Sequence, residues 1–213
     1  MSELYVLDFD RTLADTDDMF DKLCEAAEQV DPALKQKLIK YNEERLSQGD
    51  ERPMFHPGSV FGDQKAEVYK AFVQNTSEEE REYIYEDAKR LLNKVKKLGK
   101  MAVVLTFGDP EWQEAKVKAT LGVEEFDLPV VYTEKKIKSK TIDSWREKDD
   151  TYKIGSYKAD QVVGVGDEIS DFIDYDNLPN ARGYLVDPHD KKKDQLPNNV
   201  EKIKSLDEVV LSE

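Results

Sequence analysis

The chain has 213 residues, with 46 acidic and 32 basic side chains and a formal net charge of −14. The length suits one domain or a core with a smaller module, and the acidity argues against nucleic acid and anionic membranes as partners. A lone Cys24 and two histidines argue against disulfides and structural zinc, so we expect a cytoplasmic protein whose metals, if any, take oxygen ligands.

Five short, nearly continuous runs of apolar and β-branched residues predict strands that are buried on both faces. They are Leu4–Phe9, Met101–Phe107, Leu128–Thr133, Gln161–Val165 and Gly183–Asp187. Helical patterns lie between most of these runs, which is typical of an α/β fold built on a parallel sheet.

The segment between the first two strands is far longer than the dozen or so residues that a parallel crossover requires. Its patterns predict helices over 17–30, 31–47, 64–74 and 78–98, with an irregular segment rich in glycine, proline and aromatic residues over 49–63. Ser77 and Glu80 fit a capping box for the last of these helices. We therefore expect a helical module over 16–98, inserted into a core formed by 1–15 and 99–213.

The other helices have recognisable ends. Asp109 is expected to cap a helix that has Pro110 at its first position and Gly122 just past its end. Ser205 and Glu208 fit a capping box for a short C-terminal helix.

Carboxylates follow two of the predicted strands. Asp8 and Asp10 stand at the end of the first strand, and Asp167 and Asp171 follow the strand that begins at Gln161. The carboxyl ends of parallel strands form the edge at which open α/β sheets bind ligands, and adjacent carboxylates repel each other unless a cation or a shared proton intervenes. The alternative interpretations are a solvated acidic turn at 8–10 and an N-cap at Asp167.

Two further signals are compatible with an anion. Thr106 ends the second strand shortly before the expected helix N-terminus at Asp109, where hydroxyl and backbone N–H groups suit a phosphate. The basic segment 135–140 directly follows the third strand and could supply a fixed cation, although such a run is also typical of a solvated loop.

In chain order these residues read Asp-x-Asp-x-Thr at 8–12, Thr106, a lysine after the third strand, and Gly-Asp-x-x-x-Asp at 166–171. This ordered set resembles the haloacid dehalogenase (HAD) superfamily of phosphatases and phosphotransferases. Residues 8–16 and 121–127 are similar to its phosphoglycolate-phosphatase-like branch. The resemblance implies a Rossmann-like parallel sheet with helices on both faces, plus an inserted α-helical cap over the active site.

The resemblance also implies catalytic roles. Asp8 would be the nucleophile that forms an aspartyl-phosphate, and Asp10 would protonate the leaving oxygen and then activate water. Thr106 would bind the phosphoryl oxygens. Thr12 would hold the loop.

A bound Mg²⁺ is implied in the same way. Its ligands would be Asp8, the backbone carbonyl of Asp10, and Asp167, with Asp171 supporting the metal directly or through water. Lys138 is our choice for the phosphate-binding lysine. The alternatives are Lys140, Lys136 and, with less support, Lys116, because the segment lacks the Lys-Pro pair that is frequent in the family.

We therefore expect an enzyme that hydrolyses a small phosphorylated metabolite. The alternatives are a phosphotransferase or mutase that uses the same intermediate, and a non-catalytic binding protein on the same fold. A metal-free dehalogenase is less favoured because Asp167 and Asp171 supply metal ligands. The sequence indicates neither the substrate nor the oligomeric state.

Substrate choice would rest on side chains of the expected cap, and the loop 49–63 is our candidate. Arg52 and His56 could meet an anionic or sugar-like leaving group, while Phe55 and Phe61 could pack on it. The alternative is that the aromatic residues are local core and that Arg52 is solvated.

Overall fold

A computed structural model describes residues 2–49, 53–79, 83–121, 128–192 and 195–212. Eight strands are found among these residues: β1 (Glu3–Leu7), β2 (Met101–Phe107), β3 (Val130–Thr133), β4 (Tyr152–Ile154), β5 (Tyr157–Ala159), β6 (Gln161–Gly166), β7 (Ala181–Val186) and β8 (Val200–Ile203). Six of them form one sheet in the order β3-β2-β1-β6-β7-β8, and every neighbouring pair is parallel. The predicted α/β class is confirmed.

The sequence patterns missed three strands. β8 lies at the edge of the sheet, where Val200 and Ile203 are buried and Glu201 is exposed, so it lacks the continuous apolar run of the central strands. β4 and β5 form a small antiparallel hairpin. Its turn contains Gly155 with a φ of 56°, the left-handed conformation that tight hairpin turns require. This glycine is the feature of the sequence that could have predicted the hairpin.

Seven α-helices are found within the described ranges: α1 (Met19–Val30), α2 (Pro32–Leu46), α3 (Gly58–Phe61), α4 (Lys65–Ser77), α5 (Glu86–Lys97), α6 (Pro110–Leu121) and α7 (Lys138–Asp143). Asp31 caps α2 by accepting from the Ala33 N–H at 2.8 Å, and Asp109 caps α6 by accepting from the Trp112 N–H at 3.0 Å. The predicted starts of both helices are thus confirmed. Gly122 lies outside the described residues.

The capping box at Ser205 is confirmed, although the helix that it starts is a single 3-10 turn, Leu206–Glu208. No helix of the described chain combines the length and the apolar character needed to cross a membrane.

The helix predicted over 78–98 is wrong in its first third. Ser77 is the last residue of α4, α5 begins only at Glu86, and Glu80 lies outside the described residues. Between the two helices the backbone is extended: Ile84 forms a bridge with Ala14, and the Tyr85 N–H donates to the Leu13 carbonyl at 3.0 Å. Ile84 fitted the apolar stripe of a helix, but its pairing with the loop after β1 outweighs that local pattern.

The buried apolar side chains of the described residues form three clusters. Two lie on the sheet, and the third joins α1, α2 and α4 with residues of α6. The buried side chains of α5, including Leu91 and Val95, belong to a sheet cluster together with Tyr5 and Leu7. α5 therefore packs on the sheet.

Candidate active site

The carboxylates that follow β1 and β6 meet at the carboxyl edge of the sheet. β1 and β6 are neighbours, and the Asp8 N–H donates to the Val165 carbonyl at 2.8 Å. One carboxylate oxygen from each of Asp8, Asp167 and Asp171 lies within 4.8 Å of the other two. The Thr12 hydroxyl is 3.3 Å from Asp8 Oδ2 and 3.5 Å from Asp167 Oδ1, so it links the loops that carry these two residues.

Asp171 is turned toward this cluster by the 3-10 turn Ile169–Phe172. Its Oδ2 accepts from the Glu168 N–H at 3.3 Å. A Cβ atom at Gly166 would lie 2.4 Å from the same Oδ2, closer than any side chain allows. Glycine at the end of β6 is therefore what permits the Asp171 carboxylate to approach the backbone.

Lys138 begins α7 and lies between two of the three carboxylates. Its ammonium contacts Asp8 and is 2.8 Å from Asp171 Oδ1. Burial alone would lower the pKa of Lys138, but the charges of Asp8 and Asp171 outweigh burial and raise it, so the side chain is cationic at neutral pH. The two alternative lysines of this segment, Lys136 and Lys140, are exposed.

The three carboxylates lie in a buried setting. Burial raises the pKa of Asp8, with Asp171 and Asp10 adding to the effect against the opposing charge of Lys138. Burial likewise raises the pKa of Asp167 to about 6, although Arg11 and Lys192 lie 3.6 and 3.8 Å from its Oδ2. Clustered carboxylate oxygens are the donor set of hard divalent cations, and a cation among them would offset their mutual repulsion. The residues therefore fit Mg²⁺.

Asp10 stands apart from the three and has a different cationic partner. Its carboxylate pairs with Lys116 of α6. Burial alone would raise the pKa of Asp10, but the Lys116 ammonium, helped by the Thr16 hydroxyl, reverses the effect and leaves the pKa below its ordinary value. The Lys116 ammonium also lies 5.8 and 5.6 Å from the ring centroids of Phe9 and Trp112.

Thr106 is fully buried at the end of β2, and its hydroxyl donates to Gln113 Oε1 at 3.0 Å. The amide of Gln113 in turn donates to the Phe107 carbonyl at 2.8 Å. Gln113 of α6 thus holds the end of β2 in place. The sequence patterns did not predict this contact.

A cavity of about 570 Å³ opens beside Asp10, between α6, the end of α2 and the loop before α3. Of the four loop residues proposed for substrate choice, Phe55 lines this cavity. Phe61 is buried and packs on Tyr69, and His56 bonds to Asp109 Oδ2 at 2.8 Å. Arg52 lies outside the described residues.

The sequence patterns did not predict several of the residues that lie at the site. Arg11, Lys192 and Gln113 contact the predicted site residues, and Arg45 lines the cavity. The spacing of Gln113 and Lys116 could have predicted that they lie together. They are three positions apart on α6 and therefore share a face, next to the buried Trp112. Arg11 and Lys192 carry no such pattern because tertiary contacts alone bring them to Asp167.

A family model described as haloacid dehalogenase-like hydrolase matches residues 5–174. A search of curated protein sequences finds no significant match.

Solved structures of similar fold cover nearly the whole chain. A haloacid dehalogenase-like hydrolase from Burkholderia xenovorans has a TM-score of 0.62 at 15% identity, over 96% of this chain and 93% of that one. CbbY from Rhodobacter sphaeroides, solved with phosphate and with xylulose 1,5-bisphosphate, has a TM-score of 0.60 at 16% identity over 98% and 96%. The HAD hydrolase YfnB from Bacillus subtilis, solved with magnesium, has a TM-score of 0.58 at 12% identity over 97% and 96%.

Proposed function

Because this chain belongs to the haloacid dehalogenase-like hydrolases, we propose that it is a Mg²⁺-dependent phosphatase that acts on a small phosphorylated metabolite. The observation that carries this proposal is the position of Asp8. Its buried carboxylate contacts Lys138 and belongs to a cluster with Asp167 and Asp171. A metal-free displacement of halide would have no use for such a cluster.

In the first half of the reaction, a carboxylate oxygen of Asp8 attacks phosphorus and the bond from phosphorus to the leaving oxygen breaks. An aspartyl-phosphate forms on Asp8, and the leaving oxygen takes a proton from the protonated form of Asp10. Asp10 lines the cavity in which a leaving group would lie. Its contact with Lys116 favours the carboxylate, so the reacting state is the one in which Asp10 has taken up a proton despite Lys116.

In the second half, Asp10 removes a proton from water, that water attacks the phosphorus of the aspartyl-phosphate, and the bond between phosphorus and the Asp8 oxygen breaks. Inorganic phosphate leaves, Asp8 is again a carboxylate, and Asp10 is again protonated. Lys138 would hold the phosphoryl oxygens and keep the Asp8 carboxylate in place, and Thr106 would donate to a phosphoryl oxygen once it releases Gln113.

Asp8, Asp167 and the backbone carbonyl of Asp10 would hold Mg²⁺, with Asp171 supporting them. When bound, the ion supplies positive charge that offsets the repulsion between the phosphate and the attacking carboxylate.

We also propose a cytoplasmic location. It is supported by the free, buried Cys24, which suits a reducing compartment.

Hydrolysis of an aryl phosphate tests this function. We expect the chain to release inorganic phosphate with Mg²⁺ and not with EDTA, and we expect Asp8→Asn to lower turnover at least a thousandfold, as loss of a nucleophile does. The matched control is Asp176→Asn, which changes an exposed aspartate and should leave turnover intact.

Undiminished turnover in a folded Asp8→Asn variant, or no phosphate release by the wild type, would contradict the proposal. Product analysis with added alcohols separates the two uses of the intermediate, since a phosphotransferase would yield new phosphate esters in place of inorganic phosphate.

A further inference from the structure

Two cations of this chain face Asp167, one of the three clustered carboxylates that would hold Mg²⁺. Arg11 Nε lies 3.6 Å from Asp167 Oδ2, and Lys192 Nζ lies 3.8 Å from the same oxygen. The proposed function assigns Lys138, the cation beside the other two carboxylates, to the phosphoryl group. It gives the two cations at Asp167 no role.

The loop that carries Lys192 is fixed by Asp187, a buried residue that directly follows β7. The Asp187 carboxylate accepts from the backbone N–H groups of Lys191 at 3.1 Å and of Lys192 at 2.8 Å. Lys202 of β8 donates to the Lys192 carbonyl. The backbone of Lys192 is thus held at both its N–H and its carbonyl group, and its side chain extends from a fixed point near Asp167.

Arg11 is held in a different way. Its Nη2 pairs with Glu168 at 2.7 Å, and its backbone has a φ of 56°. This left-handed conformation favours glycine and costs free energy in a residue that has a Cβ atom. The contacts of the arginine side chain with Asp167 and Glu168 offset that cost.

Positive charge at Asp167 acts in opposite directions on the two states of the site. Without metal, Arg11 and Lys192 offset the charge of the Asp167 carboxylate. A divalent cation bound by the same carboxylate would be repelled by both of them, because like charges repel. The two side chains therefore favour the metal-free state relative to the metal-bound state.

We infer that Arg11 and Lys192 compete with Mg²⁺ for Asp167 and thereby set the affinity of this site for the ion. The inference rests on the proposed function, since it concerns the metal that this function requires.

Calorimetric titration of the metal-free protein with Mg²⁺ alone, at a constant pH above neutrality, tests the inference without turnover. Arg11→Gln and Lys192→Gln should each lower the dissociation constant of Mg²⁺ about threefold to tenfold. The decrease should be larger for Lys192→Gln, because the side chain of Lys192 is 24% exposed and that of Arg11 is 48% exposed, and solvent screens the more exposed charge more strongly.

The matched control is Lys191→Gln. It removes an exposed lysine next to Lys192, changes the net charge of the chain by the same amount and retains the backbone N–H that donates to Asp187. We expect its dissociation constant for Mg²⁺ to equal that of the wild type.

The melting temperature in EDTA provides a second measurement, with the opposite sign. Arg11→Gln and Lys192→Gln should each melt about 1–4 °C below the wild type, because Asp167 loses a partly exposed ionic partner. General damage to the fold would weaken Mg²⁺ binding together with stability, whereas competition predicts lower stability without metal and tighter binding of the ion.

A dissociation constant that rises or stays unchanged in Arg11→Gln or in Lys192→Gln would overturn the inference. An equal decrease in Lys191→Gln, or a melting temperature in EDTA that does not fall in the two variants, would do the same. If the wild type and all variants bound no Mg²⁺, the inference and the proposed metal would fail together. Measurable binding with equal constants would overturn the inference alone and leave the phosphatase proposal standing.

Discussion

Two buried lysines hold the two aspartates at the end of β1, and their surroundings differ. Lys138 contacts Asp8 and Lys116 contacts Asp10, and both lysines are 6% exposed. Lys138 is shared with Asp171, whereas Lys116 lies near the rings of Phe9 and Trp112. The Lys138 ammonium contacts two carboxylates, whereas the Lys116 ammonium contacts one carboxylate and lies near two aromatic rings.

The aspartates differ in the same way. The Asp8 side chain is 9% exposed and that of Asp10 is 27% exposed, so water and ligands reach Asp10 more readily. This contrast suits different roles for the two aspartates at the end of β1. In the proposed function, the pair at Asp8 would hold the phosphoryl group and the metal ion. The pair at Asp10, which faces the cavity, would meet the departing part of the substrate.

Loss of Lys138 should have the largest effect. Lys138→Met leaves the buried carboxylates of Asp8 and Asp171 without their shared ammonium, and breaking a buried ion pair from one side costs about 3–5 kcal/mol. We expect the free energy of unfolding, measured with urea in EDTA, to fall by that amount, and kcat for an aryl phosphate to fall about a hundredfold to a thousandfold.

The control is Lys140→Met, which removes an exposed lysine from the same helix. If both variants were equally stable and equally active, the charge cluster around Asp8 would not depend on Lys138, and the contrast between the two lysines would disappear.

Magnesium should stabilise the protein by binding at the carboxylate cluster that contains Asp8. A ligand at one hundred times its dissociation constant stabilises a protein by about 2.7 kcal/mol, which corresponds to roughly 5–10 °C in a chain of this size. We expect Mg²⁺ to raise the melting temperature by that amount relative to EDTA. Asp171→Asn should reduce the increase, while the exposed control Asp176→Asn should not. An equal increase in both variants would place the metal elsewhere.

The sequence could predict the Asp8 side better than the Asp10 side, for a topological reason. Asp8, Asp167 and Lys138 directly follow strands or begin a helix after one, and the carboxyl ends of parallel strands meet at one edge. Chain order alone therefore places them together. Lys116 reaches Asp10 from the second turn of α6, so its position depends on how that helix packs, which periodicity does not determine.

The same limit applies to the fold. The central strands were predicted because both of their faces are buried, and α5 was assigned to the helical module because the pattern could not say which surface its apolar stripe covers. In the structure that stripe lies on the sheet with Tyr5 and Leu7. Local patterns thus identify elements, while the choice between two apolar partners is made by tertiary packing.

Loss of Lys116 should have the smallest effect on stability of these three tests. Lys116→Met places an apolar side chain between Phe9 and Trp112 and leaves the Asp10 carboxylate without its ammonium. Because Asp10 is 27% exposed, water can replace part of that contact, and the expected loss is about 1–3 kcal/mol by urea denaturation. Unlike Asp171→Asn, this variant should retain the full Mg²⁺-induced rise in melting temperature, since Lys116 is not in contact with the carboxylate cluster of Asp8, Asp167 and Asp171. A loss of the Mg²⁺ response in Lys116→Met would mean that the two aspartates of β1 form one electrostatic unit and that their surroundings do not divide the site.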